Sequence, residues 1–493
     1  MLKEIKHLLT HSAIYGTMNI LAKGVGFIMI PIYTHYIPPA DYGVYELLDL
    51  VVMVVGIFLG AGIVNAVARF YFLYDTEKER NNVVSSAIYC LCGILALCIP
   101  IVCFFAPELS ILIFDTSQYS FLLRLVFISF AFNSILEIPL SYIRFVEKPI
   151  LFASVSLARL SIQLGLNIYF VVYQHLGIIG IVYSGFIASM LFSLFLVFSL
   201  LARVGWTCKL HLAWEMIKFG SPLILSNIGM FIIHFADRFY LKKYTSLTDV
   251  GIYSLGYKMG FLITYLIGQP FGMVWNYWRY TLIEQEDGER MYGKIFLLFS
   301  SLLFFGWLGL SLFSRELITV MADPKYYEAY KVVPVVALAY VFRGIAEFFK
   351  GMFFIEKATA MMSGLTAGVA LCALLLYTFL IPKWGISGAA YSTLLIFFLL
   401  STIYYIIIEH IRNIDYNMKS VLNCFVGAQI FFFVGLKIGY LTNTFMSFFV
   451  KIIILLFYPL FSYWIVLSNE ERKRVQGIIH IILNKGFVNR VNR

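Results

Sequence analysis

Apolar residues along this chain run continuously rather than in alternation, in stretches of about 20–28 residues broken by short polar segments. A helix needs about 20 apolar residues to cross about 30 Å of hydrocarbon. Only helices and closed barrels satisfy every backbone group there, and unbroken runs lack the period of two that barrel strands show. Fourteen stretches therefore read as membrane-spanning helices: 13–36, 43–68, 83–106, 119–143, 150–173, 177–202, 215–238, 250–277, 292–313, 329–350, 358–381, 385–408, 421–441 and 445–467. The fifth and sixth are parted only by Gln174-His175-Leu176. Lys3 and Lys6 precede the first, which exceeds the length of a signal peptide and is followed by no small-residue cleavage site, so a retained helix is expected. Pro31, Pro139, Pro222, Pro270 and Pro334 fall inside stretches and predict bends or breaks. The expected fold class is an all-α integral membrane protein with about 14 transmembrane helices.

Composition agrees. Apolar residues make up 61% of the 493 residues and charged ones 13%, against about 45–50% and about 25% in soluble domains. That excludes a soluble enzyme, a disordered chain and a nucleic-acid-binding module. The net charge of +10 is distributed by side. With fourteen spans both termini share one face, and 23 of the 37 Lys and Arg residues fall on that face against 7 on the other, which predicts cytoplasmic termini. The segment after Glu471 mixes basic residues with Ile478-Ile479-His480-Ile481-Ile482-Leu483, and reads either as an amphipathic segment on anionic lipid or as a solvated tail. Every loop is short, so function must reside in the helices. The seven cysteines show no metal-ligand spacing and the eight histidines are scattered, with only His234 beside Asp237 worth inspection; no metal, cofactor or catalytic constellation is expected.

Self-comparison reveals a repeat. Asp41-Tyr-Gly43-Val-Tyr45 pairs with Asp249-Val-Gly251-Ile-Tyr253, Phe145-Val-Glu147-Lys148 with Phe354-Ile-Glu356-Lys357, and the segment 177–184 with 385–392, all at nearly one offset. An even number of helices per copy gives a parallel repeat whose two-fold lies along the membrane normal, a transporter plan with the substrate site between the halves. The expected organisation is a six-helix lobe at 1–203, a second at 212–410 after the basic stretch 203–211, two further transmembrane helices within 411–467, and a basic cytoplasmic tail at 468–493.

Lys23, Arg159, Lys258 and Arg343 lie deep in their spans. Each costs about 2.5–3.5 kcal/mol at mid-bilayer if it faces lipid, so these cations are expected to face a hydrated interior or an acidic partner. Arg343 stands four residues before Glu347 and either pairs with it or lines the cavity. Arg124 lies near the outer end of its helix and either joins the cationic cavity or snorkels. None of the four deep cations recurs at the repeat offset, which makes them better substrate-site candidates than the shared scaffold. Such a cavity suits an anion such as phosphate or pyrophosphate, bound by charge-assisted hydrogen bonds. Asp49, Glu137 and Glu347 are candidates for ion coupling, with helix capping or charge pairing as the alternative. Tyr15, Tyr257, Trp275 and Tyr277 are candidates to stack on sugar rings.

Tyr15-Gly16 through Lys23-Gly24-x-Gly26-Phe27, then Pro31-Ile32-Tyr33-Thr34-x-Tyr36-Ile37-Pro38 and Asp41-Tyr42-Gly43-Val44-Tyr45, resemble the N-terminus of bacterial Wzx-type polysaccharide flippases. These belong to the multidrug/oligosaccharidyl-lipid/polysaccharide (MOP) exporter superfamily. Phe219-Gly220-x-Pro222 through Asp237-Arg238 and the 6+6+2 layout extend the resemblance over the whole chain. It implies a MATE-like MOP fold in the bacterial inner membrane. It also implies alternating-access flipping of an undecaprenyl-pyrophosphate-linked oligosaccharide to the outer leaflet, for O-antigen, capsule or exopolysaccharide assembly. The polysaccharide polymerase machinery is an implied partner. A cationic lumen carries over onto Lys23, Arg159, Lys258 and Arg343. A MATE-type drug or cation exporter and a peptidoglycan-precursor flippase are the alternatives on the same fold; a membrane-embedded glycosyltransferase would need larger loops.

Overall fold

A computed structural model describes Gly24, residues 26–441, residues 444–466 and Arg472. Lys23 and Tyr15, and with them most of the first expected span, lie outside the described residues. The described chain is predominantly helical, with short connections such as 205–209 and 412–417, because each apolar stretch satisfies its own backbone. In order the helices are α1 (26–36), α2 (Pro39–Leu59), α3 (Ala61–Leu73), α4 (Glu77–Phe104), α5 (Ala106–Phe114), α6 (Ser120–Phe145), α7 (Pro149–Asn167), α8 (Gly177–Val204), α9 (Leu210–Gly220) and α10 (Leu223–Phe235). There follow α11 (Asp237–Tyr244), α12 (Leu247–Gly260), α13 (Gln269–Ile283), α14 (Gly288–Leu312), α15 (Ser314–Met321), α16 (Val333–Ile355), α17 (Thr359–Ile411), α18 (Met418–Leu441) and α19 (Thr444–Val466).

Among the described residues ten helical segments are long and apolar enough to cross a membrane, and Pro324–Lys331 with Val333–Ile355, bent by 47°, gives an eleventh. The chain is a multi-pass membrane protein. The difference from fourteen has local causes. Thr359–Ile411 holds two expected spans, 358–381 and 385–408, joined at Gly385, where φ is 51°. Ser392 Oγ donates to the Leu376 carbonyl at 3.5 Å, so the two arms fold back on each other. The expected span 215–238 is not one helix but α9, α10 and α11, interrupted at Ser221-Pro222 and Ala236. The span 250–277 is α12, a π-helical turn at Thr264–Gly268 and α13, whose first turn carries Pro270. Pro334 likewise opens α16, whereas Pro139 is absorbed within a continuous α6. The division at 174–176 falls where expected, between a π-helical turn ending at Tyr173 and Gly177.

The described residues form two compact units. The first takes in the chain as far as Leu255 together with Ile318–Ala329 and Thr366–Thr393. Its core includes Leu47, Val84, Leu91, Phe127 and Leu136, all essentially inaccessible. Within it Thr34 Oγ1 accepts from the Asp323 amide at 3.2 Å, and the Tyr326 hydroxyl donates to the Ile37 carbonyl at 2.8 Å. Lys242 pairs with Asp115. The second unit comprises Gly256–Leu317, Tyr330–Leu365 and the described residues from Leu394 onward. Its core is aromatic: Phe296, Phe304, Trp307, Tyr340, Phe348 and Phe349 are buried, and Trp307 donates from Nε1 to the Pro334 carbonyl at 2.9 Å. These packing units do not follow the 203–211 boundary of the sequence repeat.

Positions equivalent in the repeat share backbone geometry. Gly177 and Gly385 take φ of 54° and 51°, a region that glycine enters without steric cost. Ser184 and Ser392, seven residues on, donate to the carbonyls of Gly180 and Gly388 at 2.6 and 2.7 Å. Within the first unit Gly43 and Gly251 face one another. A Cβ on Gly43 would strike the Leu247 carbonyl oxygen, and one on Gly251 would strike that of Pro39. The contact is reciprocal between equivalent positions of α2 and α12, as a local two-fold requires.

Candidate substrate site

Sequence reasoning proposed a cationic site, and the helices distribute its members as follows. Arg159 is half-buried on α7 in the first unit. Its Nη2 donates to Asn133 Oδ1 on α6. Glu137, one turn further along α6, lies within electrostatic reach of the guanidinium. The sequence placed no acid three or four residues from Arg159; the structure supplies its polar partners from the neighbouring helix. Glu137 also lines a cavity of about 430 Å³ in the same unit, walled by α2, α3, α6 and α10. The lining is chiefly apolar, with Met53, Phe130, Met230 and Phe231, and its polar points are Ser134, Glu137, Asn227 and His234. Asp49 is exposed on α2, one turn before the cavity-lining Met53 on the same helix face.

Lys258 and Arg343 belong to the second unit and flank one aromatic cluster. The Tyr257 and Tyr340 hydroxyls lie 2.7 Å apart, and the Phe261 ring stands 4.7 Å from both Tyr265 and Tyr340. Lys258, half-buried, interacts electrostatically with Tyr265. The Arg343 guanidinium sits 5.9 Å from the Tyr340 ring centre and 6.0 Å from that of Phe397, within cation–π range. Arg343 Nη2 is also 3.7 Å from Glu347 Oε1, the pairing that the i, i+4 spacing allowed. Glu347 is exposed and also lies 3.2 Å from Lys350. Cations and tyrosine hydroxyls are the chemistry that a phosphoryl group pairs with, although Tyr257 and Tyr340 are buried with their hydroxyls bonded to one another.

Arg124 does not join either group. It is exposed, and its Nε donates at 3.1 Å to the carbonyl of Cys103 near the end of α4, satisfying a backbone acceptor that the helix end leaves open. Tyr257 and Trp275 are buried in aromatic packing, whereas Tyr277 is 80% exposed. Among the described residues no three His, Cys, Asp or Glu side chains are gathered as metal ligands.

Among the described residues, the most thoroughly buried ion pair is one whose pairing the sequence did not indicate. Asp237 and Arg238, which close the expected span 215–238, are inaccessible and joined at 2.9 Å. Tyr253 donates to Asp237 Oδ2, Thr393 Oγ1 lies 3.3 Å from the same oxygen, and Arg238 Nη1 donates to the His234 carbonyl at 3.1 Å. This network ties the break at Ala236 to α12 and α17, and so fixes the cavity wall carrying His234. The adjacency of His234 and Asp237, and the place of Asp237-Arg238 in the motif that carries the family resemblance, were the available signals.

The family described as "Polysaccharide biosynthesis protein" matches residues 8–275. No curated protein matches the sequence. Among solved structures, the lipid II flippase MurJ in an inward closed conformation superposes with a TM-score of 0.75 at 16% identity, covering 92% of this chain and 99% of that one. An inward-facing multidrug resistance MATE family transporter of the MOP superfamily gives 0.58 at 16% identity, over 80% of this chain and 94% of that one. A variant of the Vibrio cholerae MATE transporter VcmN gives 0.57 at 13% identity, over 83% and 98%. At these identities the likeness shows the fold, which is that of the MOP exporters.

Proposed function

The chain belongs to the polysaccharide biosynthesis protein family, and from that premise we propose that it flips an undecaprenyl-pyrophosphate-linked oligosaccharide from the cytoplasmic to the outer leaflet of the bacterial inner membrane. The supporting observation is the pairing of Lys258 and Arg343 around the Tyr257, Phe261, Tyr265 and Tyr340 cluster inside a membrane-embedded helical unit. The problem solved is physical. A charged, hydroxyl-rich headgroup stripped of water costs several kcal/mol per polar group, whereas the polyprenyl tail need never leave hydrocarbon. Charge-assisted bonds from Arg and Lys replace water around the diphosphate, and aromatic faces and hydroxyls replace it around the sugars. Two repeat-related lobes, 1–203 and 212–410, would expose the site alternately to each side, with both termini cytoplasmic. The substrate is moved and not chemically altered, so the protein acts as a transporter upstream of the polysaccharide polymerase machinery.

One observation favours a second reading. Glu137 lines the first unit's cavity, and an exporter of cationic drugs would want an acid there. The deciding experiment is deletion of the gene followed by extraction of lipid-linked glycans. Accumulation of an undecaprenyl-linked repeat unit supports the flippase. Accumulation of peptidoglycan precursor assigns the same mechanism to another glycolipid. An unchanged glycolipid pool with raised drug sensitivity favours the exporter.

A further inference from the structure

Four buried hydrogen-bonding atoms without partners cluster at one end of the second unit: Trp275 Nε1, Arg279 Nε, Tyr292 Oη and Tyr416 Oη. Their residues are 3%, 7%, 0% and 2% exposed. Trp275 and Arg279 lie one turn apart on one face of α13. The Trp275 ring is 4.8 Å from Tyr292 on α14, and Tyr292 is 6.4 Å from Tyr416 in the segment between α17 and α18. Arg279 lies within electrostatic reach of the Tyr292 hydroxyl.

The walls are shaped to this arrangement. A Cβ on Gly351 of α16 would stand 2.5 Å from Arg279 Nη1, so the guanidinium packs directly on the glycine face, and Gly293 admits the backbone of Asp415 against α14. Glu289 and Glu356, acids at this end, are both engaged by Arg412, at 2.8 and 3.1 Å. Arg279 itself is left with a 3.4 Å bond to the Tyr280 hydroxyl and the rings of Tyr280 and Phe354, 5.1 and 5.6 Å away. Cation–π contact offsets part of the cost of burying a charge, but a buried guanidinium without an anion is expensive. Arg and Trp side chains only donate, and tyrosine hydroxyls donate readily. Such a set calls for an acceptor-only oxyanion, and guanidinium geometry matches phosphate.

We propose that Trp275, Arg279, Tyr292 and Tyr416 form a binding site for one phosphoryl group, distinct from the Lys258 and Arg343 cluster. A phospholipid headgroup and a diphosphate offer the same chemistry, and the site does not depend on what the protein transports. The test uses the full-length protein in detergent, with inorganic pyrophosphate and dioleoylphosphatidylglycerol as separate probes, each titrated by native mass spectrometry. The expected result is saturable binding of at least one probe, weakened about tenfold or more by Arg279→Gln, weakened less by Tyr416→Phe, and unchanged by Lys383→Gln on the exposed hairpin tip. Arg279-dependent binding of phosphatidylglycerol alone identifies a membrane headgroup as the ligand; of pyrophosphate alone, a diphosphate. Absence of binding by either probe, or equal affinity in wild type and Arg279→Gln, overturns the proposal. If Arg279→Gln fails to fold, equal affinity in both Trp275→Phe and Tyr416→Phe overturns it.

Discussion

Single side chains here separate into those that hold the fold and those free to meet a ligand. Asp237 and Arg238 hold it: both are buried, and the carboxylate is met by Arg238, Tyr253 and Thr393. Asp237→Ala leaves a buried guanidinium uncompensated, and is expected to cost about 3–5 kcal/mol. The check is a lower apparent unfolding temperature of the purified protein, with Asp115→Ala, whose carboxylate is exposed, changing it far less. The sequence put Asp237 and Arg238 at a span end, because an apolar run shows no break at Ala236. Thr393, 156 residues from Asp237, leaves no local trace. Arg159 was legible as a deep cation, yet its partner Asn133 was not, since pairing across α6 and α7 depends on helix rotation. Arg343 and Glu347 were legible together because four residues make one helical turn.

At the scale of elements, the hydrophobic pattern located the spans and glycine explains how they meet. Gly385 reverses the chain between the two arms of α17 at φ 51°. Gly385→Ala should cost more than the about 1–2 kcal/mol of left-handed helical backbone, because φ of 51° with ψ of −126° lies outside the regions open to a residue with a Cβ. Thermal denaturation measures it. Gly43→Ala should be worse, since its Cβ would strike the Leu247 carbonyl where α2 crosses α12, and should separate the two helices. Gly364→Ala, a helical position with open surroundings, should be neutral or stabilising in the same assay. What the pattern could not show was interruption. Residues 215–238 and 250–277 each read as one long, predominantly apolar stretch, but Pro222 separates α9 from α10, and a π-helical turn precedes Pro270. Hydropathy reports partition into lipid and is blind to backbone hydrogen bonding.

For the whole molecule, the charge asymmetry predicts that both termini are cytoplasmic. Cys208 is exposed on the basic segment between α8 and α9. With that segment cytoplasmic, a membrane-impermeant maleimide should label Cys208 in inside-out vesicles and not in intact spheroplasts; the reverse pattern would invert the topology. The internal repeat was legible as sequence matches at nearly one offset, at which Gly177 and Gly385 are equivalent and both take a positive φ. The membership of each packing unit was not, since Ile318–Ala329 and Thr366–Thr393 join the first unit from far along the chain. The central claim is that cations on these helices carry a glycolipid diphosphate across the bilayer. Its most direct test is the rate at which a reconstituted undecaprenyl-pyrophosphate oligosaccharide reaches the opposite leaflet of proteoliposomes, in wild type and in Arg159→Gln and Lys258→Gln. The account predicts transfer by wild type and a loss of about tenfold or more in each variant at near-normal expression; wild-type rates in both variants, or no transfer above protein-free vesicles, would contradict it.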